Sequence, residues 1–363
     1  MLETRQATVA LVLNCLIGVG ATGSGAQQPT VTQPVTASSA PATIAKAVRP
    51  IGIIDFYGLH HLSANNLRGA LTFKVGDSIK QGDHSFFEVS KQHLMTVPGV
   101  LRVRPGGVCC GDDGSVIVYI GIQETNSPTM NFQPAQTGSI RLSPDVVQTV
   151  AEFEGILMQA VLSGHSDEDD SEGHRLLRDF PAARPVEDRV LAIARNDLAL
   201  LRQVLRESAD SEHRALAAEL LGYATDLQSV VPDLANAMSD SSEDVRNNAM
   251  RALAVFVMAT KVSPPRVPYK PFVALLNSPV WTDRNKASFA LMTMATKRDP
   301  ALIRMLRAQA LPSLIEMARW SNPGHALPAI RILGAIAGLS DNDFYSEWSR
   351  GDREDIIKSA LGR

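Results

Sequence analysis

The 363 residues are poor in cysteine, in aromatic side chains and in surplus charge of either sign. Three cysteines are too few for a disulfide framework. Cys15 lies in an apolar run, while Cys109 and Cys110 are adjacent, so no Cys-x-x-Cys pair is available for metal or redox work. The adjacent pair reads as two semi-buried thiols on a hairpin, with a strained vicinal disulfide or a redox switch as the other readings. Aromatics make up 5% of the chain against 45% hydrophobic residues in all. That balance, rich in Ala, Leu, Val and Met, suits tightly packed helices better than an all-β sandwich. With 35 basic and 38 acidic residues, the formal charge of −3 offers no basic face for nucleic acid. Also missing are GxxxxGK[ST], GxGxxG, GxSxG and HExxH, hence any recognisable phosphate cradle, nucleophile elbow or zinc-binding helix. No catalytic, cofactor-binding or metal residue is therefore assigned, and no cofactor is expected.

What is present begins at the N-terminus. An apolar run from Ala7 to Ala21, followed by small residues through Ala26, fits a signal peptide over 1–26 and is short for a membrane span. Arg5 is its only positive residue and Glu3 offsets it; Asn14 before Cys15 does not fit a lipoprotein signal. The expectation is export to the periplasm or cell envelope, with no integral span after cleavage. The alternatives are an anchor formed by residues 7–21 and a cytoplasmic protein. Residues 27–48, rich in Thr, Pro, Ser, Ala and Gln, read as a disordered linker.

From residue 49 to 124 the texture is α+β. The pattern predicts a strand from Pro50 to Gly58 and a helix capped by Ser63 that carries Leu67 and Leu71. A second helix is predicted to open on a capping box, Ser85 with Glu88. Val100–Arg104 and 115–124 follow as strands around Gly111-Asp112-Asp113-Gly114. Val116, Val118, Ile120 and Ile122 share one face of the last strand. This strand–helix–helix–strand–strand order resembles a POTRA domain. The resemblance rests on the strand ending at Gly58, the Gly76-Asp77 junction, Val97-Pro98-Gly99-Val100, and the closing Glu124. It implies a small protein-binding module that often docks a partner strand along its sheet edge. No alternating strands of a barrel follow, so an assembly-factor role does not carry over.

Residues 125–142, with Pro128, Pro134 and Gly138, read as a connector, and 143–187 as helices, the first capped by Ser143 with Pro144 behind it. Their acidic loop, 164–174, sets five acids between His165 and His174. A cation site is one reading, but the Gly and bidentate-Glu spacing of a calcium loop is missing, and a solvated loop is the other. His60 and His61 read as loop residues rather than ligands.

Residues 188–340 repeat themselves. Arg214, Ala217 and Leu221 return as Arg246, Ala249 and Leu253, a shift of 32 positions. Ala287 with Leu291 and Ala329 with Leu333 continue the series, and Arg284 continues the arginines. Pro232, Pro271 and Pro312 are expected to open first helices. Small residues let paired helices approach closely, and such pairs must stack to bury their apolar stripes. The pattern resembles HEAT repeats, most specifically at Pro232 and Asp244-Val245-Arg246; the fourth unit has Ala326 in place of the arginine. In that family the arginine braces neighbouring units by bonding an acid or a carbonyl. An anion-binding ladder is the other reading of Arg214, Arg246 and Arg284. Trp281 and Trp320 fall at helix boundaries and read as core or cap packing, or as a contact surface. Residues 341–363 form a C-terminal cap. The fold expected is thus α+β and multidomain: a small βααββ POTRA-like unit, then an all-α HEAT-like solenoid. The function expected is a non-enzymatic scaffold that binds protein partners. A lyase or enzyme accessory, suggested by the repeats alone, and a cytoplasmic adaptor are the alternatives; no His-Glu dipeptide of the HEAT-like hydroxylases occurs.

Overall fold

A computed structural model describes residues 48–362 except 81, 82, 110, 112, 128 and 166. The expected export segment, nearly all of the linker, Cys15 and Cys110 lie outside the described residues.

The first unit runs β1 (Val48–Tyr57), α1 (Ala64–Arg68), β2 (Ser78–Lys80), α2 (Glu88–Met95), β3 (Val100–Cys109) and β4 (Val116–Glu124). Its sheet has the order β2-β1-β4-β3, with β1 parallel to β4 and the other pairs antiparallel. Val116, Val118, Ile120 and Ile122 do share a face, packing with Ile54, Phe56, Leu67, Phe87 and Leu94 beneath the helices. The opposite face carries Tyr57, Ile117 and Tyr119, which belong to the core of the helical region. β4 is therefore covered on both sides.

Two local readings are corrected. The short strand β2 lies between the helices, where it pairs with the start of β1. The second helix does not start on a Ser85 capping box. Asp83, a charged acceptor two residues upstream, takes the Ser85 N–H at 3.1 Å and opens a 3₁₀ turn, His84–Phe87, ahead of α2.

At the end of β1, Gly58 has φ +82°, and a Cβ placed there would lie 2.3 Å from the Ile122 carbonyl oxygen. Neither the left-handed backbone nor the neighbouring strand can yield cheaply. Gly58→Ala is expected to lower unfolding free energy by about 2–3 kcal/mol, read from urea unfolding.

The helical region contains α3 (Pro144–Leu162), a hairpin of β5 (Glu168–Asp169) and β6 (Leu176–Leu177), then α4 (Arg184–Asn196), α5 (Leu198–Glu207), α6 (Ser211–Leu221), α7 (Leu227–Ala237), α8 (Glu243–Met258), α9 (Lys270–Leu275) and α10 (Trp281–Ala295). It closes with α11 (Pro300–Gln309), α12 (Leu311–Ala318), α13 (Pro323–Ala337), α14 (Asp341–Ser349) and α15 (Arg353–Ala360). Helix α4 runs across position 188. The pairs α5/α6, α7/α8, α9/α10 and α12/α13 stack so that α6, α8, α10 and α13 meet in series. Ala217, Ala249, Ala287 and Ala329 lie fully buried between them, with Leu221, Leu253, Leu291 and Leu333 filling the gaps. Pro271 and Pro312 stand in the first turns of α9 and α12, but Pro232 stands inside α7. That helix begins five residues earlier, because the Asp226 carboxylate caps it by accepting the Ser229 N–H. Among the described residues, no helix is long and apolar enough to cross a membrane.

Candidate functional site

The arginines form one repeated device. Arg214 grips Asp240 with Nε and Nη2, both at 2.9 Å, and gives Nη1 to the Ser208 carbonyl at 2.8 Å. Arg246 reaches Asp283 through Nε at 3.0 Å and gives Nη1 to the Asp240 carbonyl at 2.8 Å. Arg284 donates Nε to the Ser278 carbonyl at 2.6 Å and Nη1 to Glu316 at 3.0 Å. Each guanidinium thus ties the carbonyl six positions upstream to an acid of the following pair, and each is buried. The bonds they make all go to the protein itself. In the fourth pair, where Ala326 replaces the arginine, the carbonyl six positions upstream belongs to Trp320. Arg353, from α15, supplies the missing donor at 2.8 Å. Burial pushes the Asp283 and Glu316 carboxyls up, and the facing guanidinium opposes it in each case.

The N-terminal unit sits on the turns that these arginines organise. Tyr119 of β4 stacks on Trp281 with ring centroids 4.8 Å apart, tilts against Trp320 at 5.0 Å, and meets His325 Nδ1 through its hydroxyl at 2.7 Å. Tyr57 donates to the Pro279 carbonyl at 3.2 Å, and the Asp55 carboxylate accepts Ser321 N–H and hydroxyl at 2.6 and 2.8 Å. Glu316, already held by Arg284, also accepts the Leu59 N–H. The connector continues the line. Phe132 stacks under the Arg246 guanidinium at 3.9 Å, Gln133 N–H donates to the Ser239 carbonyl, and Gly138 bridges Ser208. Sheet and connector therefore run along the turns of all four pairs, last pair first.

His325 is 7% exposed, and burial together with the Lys286 charge pushes it down to about 4. The neutral ring is the form the fold keeps, so the Tyr119 hydroxyl donates to it. The folded value lies below that of the unfolded chain, which then takes up the proton first as pH falls. Stability is expected to be fully present above about pH 6.5 and to fall by about 3 kcal/mol on descending to about pH 4. Urea midpoints across that range read the loss, and His325→Asn, whose amide cannot be protonated there, should flatten it.

Beside this joint the sheet leaves a cleft of about 620 Å³ open. The outer strand β3 forms one wall from Arg102 to Val108, α2 adds Lys91 and Met95, and Glu243, Val280, Trp281 and Thr282 form the far wall. Tyr57 and Tyr119 line its floor. Lys91 pairs with Glu88 at 3.3 Å, and Glu243 accepts the Thr282 hydroxyl at 2.7 Å. Arg102 and Arg104 are exposed, and among the described residues neither makes an ion pair.

Residues 198–292 match the family model for HEAT repeats. The helical region is a HEAT-like α-solenoid. No curated protein matches the chain. Among solved structures, it is similar to a designed armadillo repeat protein in complex with the peptide (KR)4, at 15% identity, 51% of this chain, 93% of that chain and TM-score 0.34. Two engineered proteins from the Northeast Structural Genomics Consortium are also similar. One has 17% identity over 61% of this chain and 96% of its own, TM-score 0.34. The other has 18% identity over 51% and 93%, TM-score 0.32.

Outside the joint, the residues singled out from the sequence are dispersed. The acidic stretch before the HEAT-like units is not a free loop but the β5–β6 hairpin. Arg175, 6% exposed, pairs with Glu168 at 2.6 Å, and Lys261 reaches Asp169 at 3.6 Å. His174 packs on Tyr223, while His165 lies against Phe180. Burial and the Glu168 charge push Asp170 up to about 7. Among the described residues, no three of His, Cys, Asp and Glu converge as metal ligands would. His60 and His61 contribute backbone rather than imidazole. Their N–H groups and that of Leu62 donate to the Glu124 carboxylate at 2.8 to 3.1 Å. Burial raises that carboxyl, and the three backbone donors outweigh it, so Glu124 lies below the ordinary carboxylate range. Tyr119, Tyr57 and Asp55, which make the joint, were not singled out from the sequence. The unbroken apolar run Val116–Ile120 was the available signal, since a strand covered on both faces reads that way.

Proposed function

We propose that the protein is a non-enzymatic scaffold of the bacterial cell envelope. A HEAT-like solenoid supports a protein-binding role in general, because stacked pairs expose long continuous surfaces. The observation that carries the finer reading is the joint between sheet and solenoid. It covers one face of β4 and holds the outer strand β3 beside an open cleft, so that a sheet edge and a repeat surface lie side by side. The POTRA-like reading of residues 49–124 accords with this, since such modules bind proteins at their sheet edge. The apolar run and small residues of 1–26, read as a signal peptide, support partners in the envelope. The braces support a structural role for Arg214, Arg246 and Arg284 over an anion-binding one.

Two measurements test the reading. Fusing the first 30 or so residues to a reporter active only outside the cytoplasm should give signal; a silent reporter removes the envelope role. A photo-crosslinking residue at Gly106, in the cleft, should trap defined envelope proteins in living cells. Wild-type protein that traps nothing there or on the solenoid defeats the scaffold itself.

A further inference from the structure

We infer that the cleft between β3 and the solenoid takes an extended acidic segment of a partner protein, with acids at alternate positions and apolar residues between them. The inference rests on the scaffold reading and names the partner's chemistry. Val103 points into the core beneath the helices, so Arg102 and Arg104, its neighbours on either side, project from the opposite face, toward the solenoid. Alternate side chains on an extended chain recur about every 6.8 Å, and a partner strand beside β3 repeats at the same interval. Carboxylates two residues apart therefore meet both guanidinium groups in one register.

The rest of the cleft selects what lies between those acids. Met95, exposed beside β3, gives the apolar surface on the near wall, while the largely buried Val280 and Trp281 on the far wall and Tyr57 and Tyr119 on the floor show only their edges. Lys91 is already paired with Glu88, and Glu243 on the far wall repels an acid, which confines the carboxylates to the β3 side. The backbone of β3 contributes little specificity of its own. Pro105 has no N–H, so a continuous ladder cannot form there, and Gly106, where a Cβ would meet nothing within 4 Å, leaves the cleft open. Recognition thus falls on the two arginines and the apolar walls. Both arginines are free in the described structure, so a ligand need not break an existing pair to reach them.

The test uses the whole chain and a fluorescent peptide of about eight residues alternating Glu and Val. Fluorescence anisotropy should show binding that weakens as salt rises. Arg102→Glu with Arg104→Glu should weaken it at least about tenfold and favour the Lys–Val analogue instead. Arg102→Gln with Arg104→Gln should weaken it less, with the melting temperature unchanged. A peptide of equal composition with its acids in one block should bind less well. Equal binding of the Lys–Val peptide, of the block peptide, or by the charge-reversed protein overturns the inference. Crosslinking from Gly106 separates the two levels. Partners trapped equally by wild type and the charge-reversed protein leave the scaffold standing and remove the acidic segment; no partner for wild type removes the scaffold.

Discussion

Arg246→Ala is expected to lower the unfolding free energy by about 3–5 kcal/mol, the range for breaking a buried ion pair from one side. The loss comes less from the vanished attraction than from what stays behind. Asp283 is fully buried, and without Arg246 its carboxylate keeps only the Ser278 hydroxyl at 2.6 Å. The Asp240 carbonyl loses its donor as well, and Phe132 loses the cation it packs against. Pairing Arg246→Met with Asp283→Leu should recover much of the stability, because the stranded charge then goes too. Urea unfolding of both proteins decides the matter. A single variant losing under about 1 kcal/mol would show that Asp283 finds another way to be neutral or solvated.

Trp320→Ala should be comparably costly, about 3–5 kcal/mol, since it opens a cavity inside a packed joint. Trp320 is 2% exposed and lies between Tyr119, Trp281 and the turn that receives Asp55. Its effect should also have a place. Amide exchange is expected to rise in β1 and β4 more than in α5 and α6, which lie at the other end of the stack. Uniform acceleration would mean that Trp320 stabilises the solenoid and not the seat of the sheet.

These two sites show where sequence reasoning succeeds and where it stops. The arginine register was readable because each repeat faces the same problem, a carbonyl at the turn and an acid from the next pair. Its acids were not, because they come from different places: Asp240 from a turn, Asp283 from the first turn of α10 and Glu316 from the last turn of α12. Only proximity in space makes them equivalent. Pro232 misled for a related reason, since one residue type opens α9 and α12 while a carboxylate two turns of sequence earlier opens α7. The double burial of β4 is masked in the sequence, because a period-two pattern already accounts for Val116 to Ile122 with one face buried. Helix α10 is the counterpart on the other side. Its residues are buried almost all round, Asn285 and Lys286 included, because the sheet, α8 and α13 enclose it. No amphipathic stripe announces such a helix.

The seating of Tyr119 has a consequence for how the chain is made. Its partner His325 lies 206 residues downstream, and the Asp55–Ser321 bond spans 266. At about 5–20 residues per second, the ribosome needs roughly 10–40 s to bring His325 out after Tyr119. Through most of that interval the aromatic face of the sheet waits, since Pro279 and Trp281, its earliest partners in the third pair, come only shortly before His325. The last repeats are therefore the first ones it can use, and a chain interrupted before them is a natural client for a chaperone.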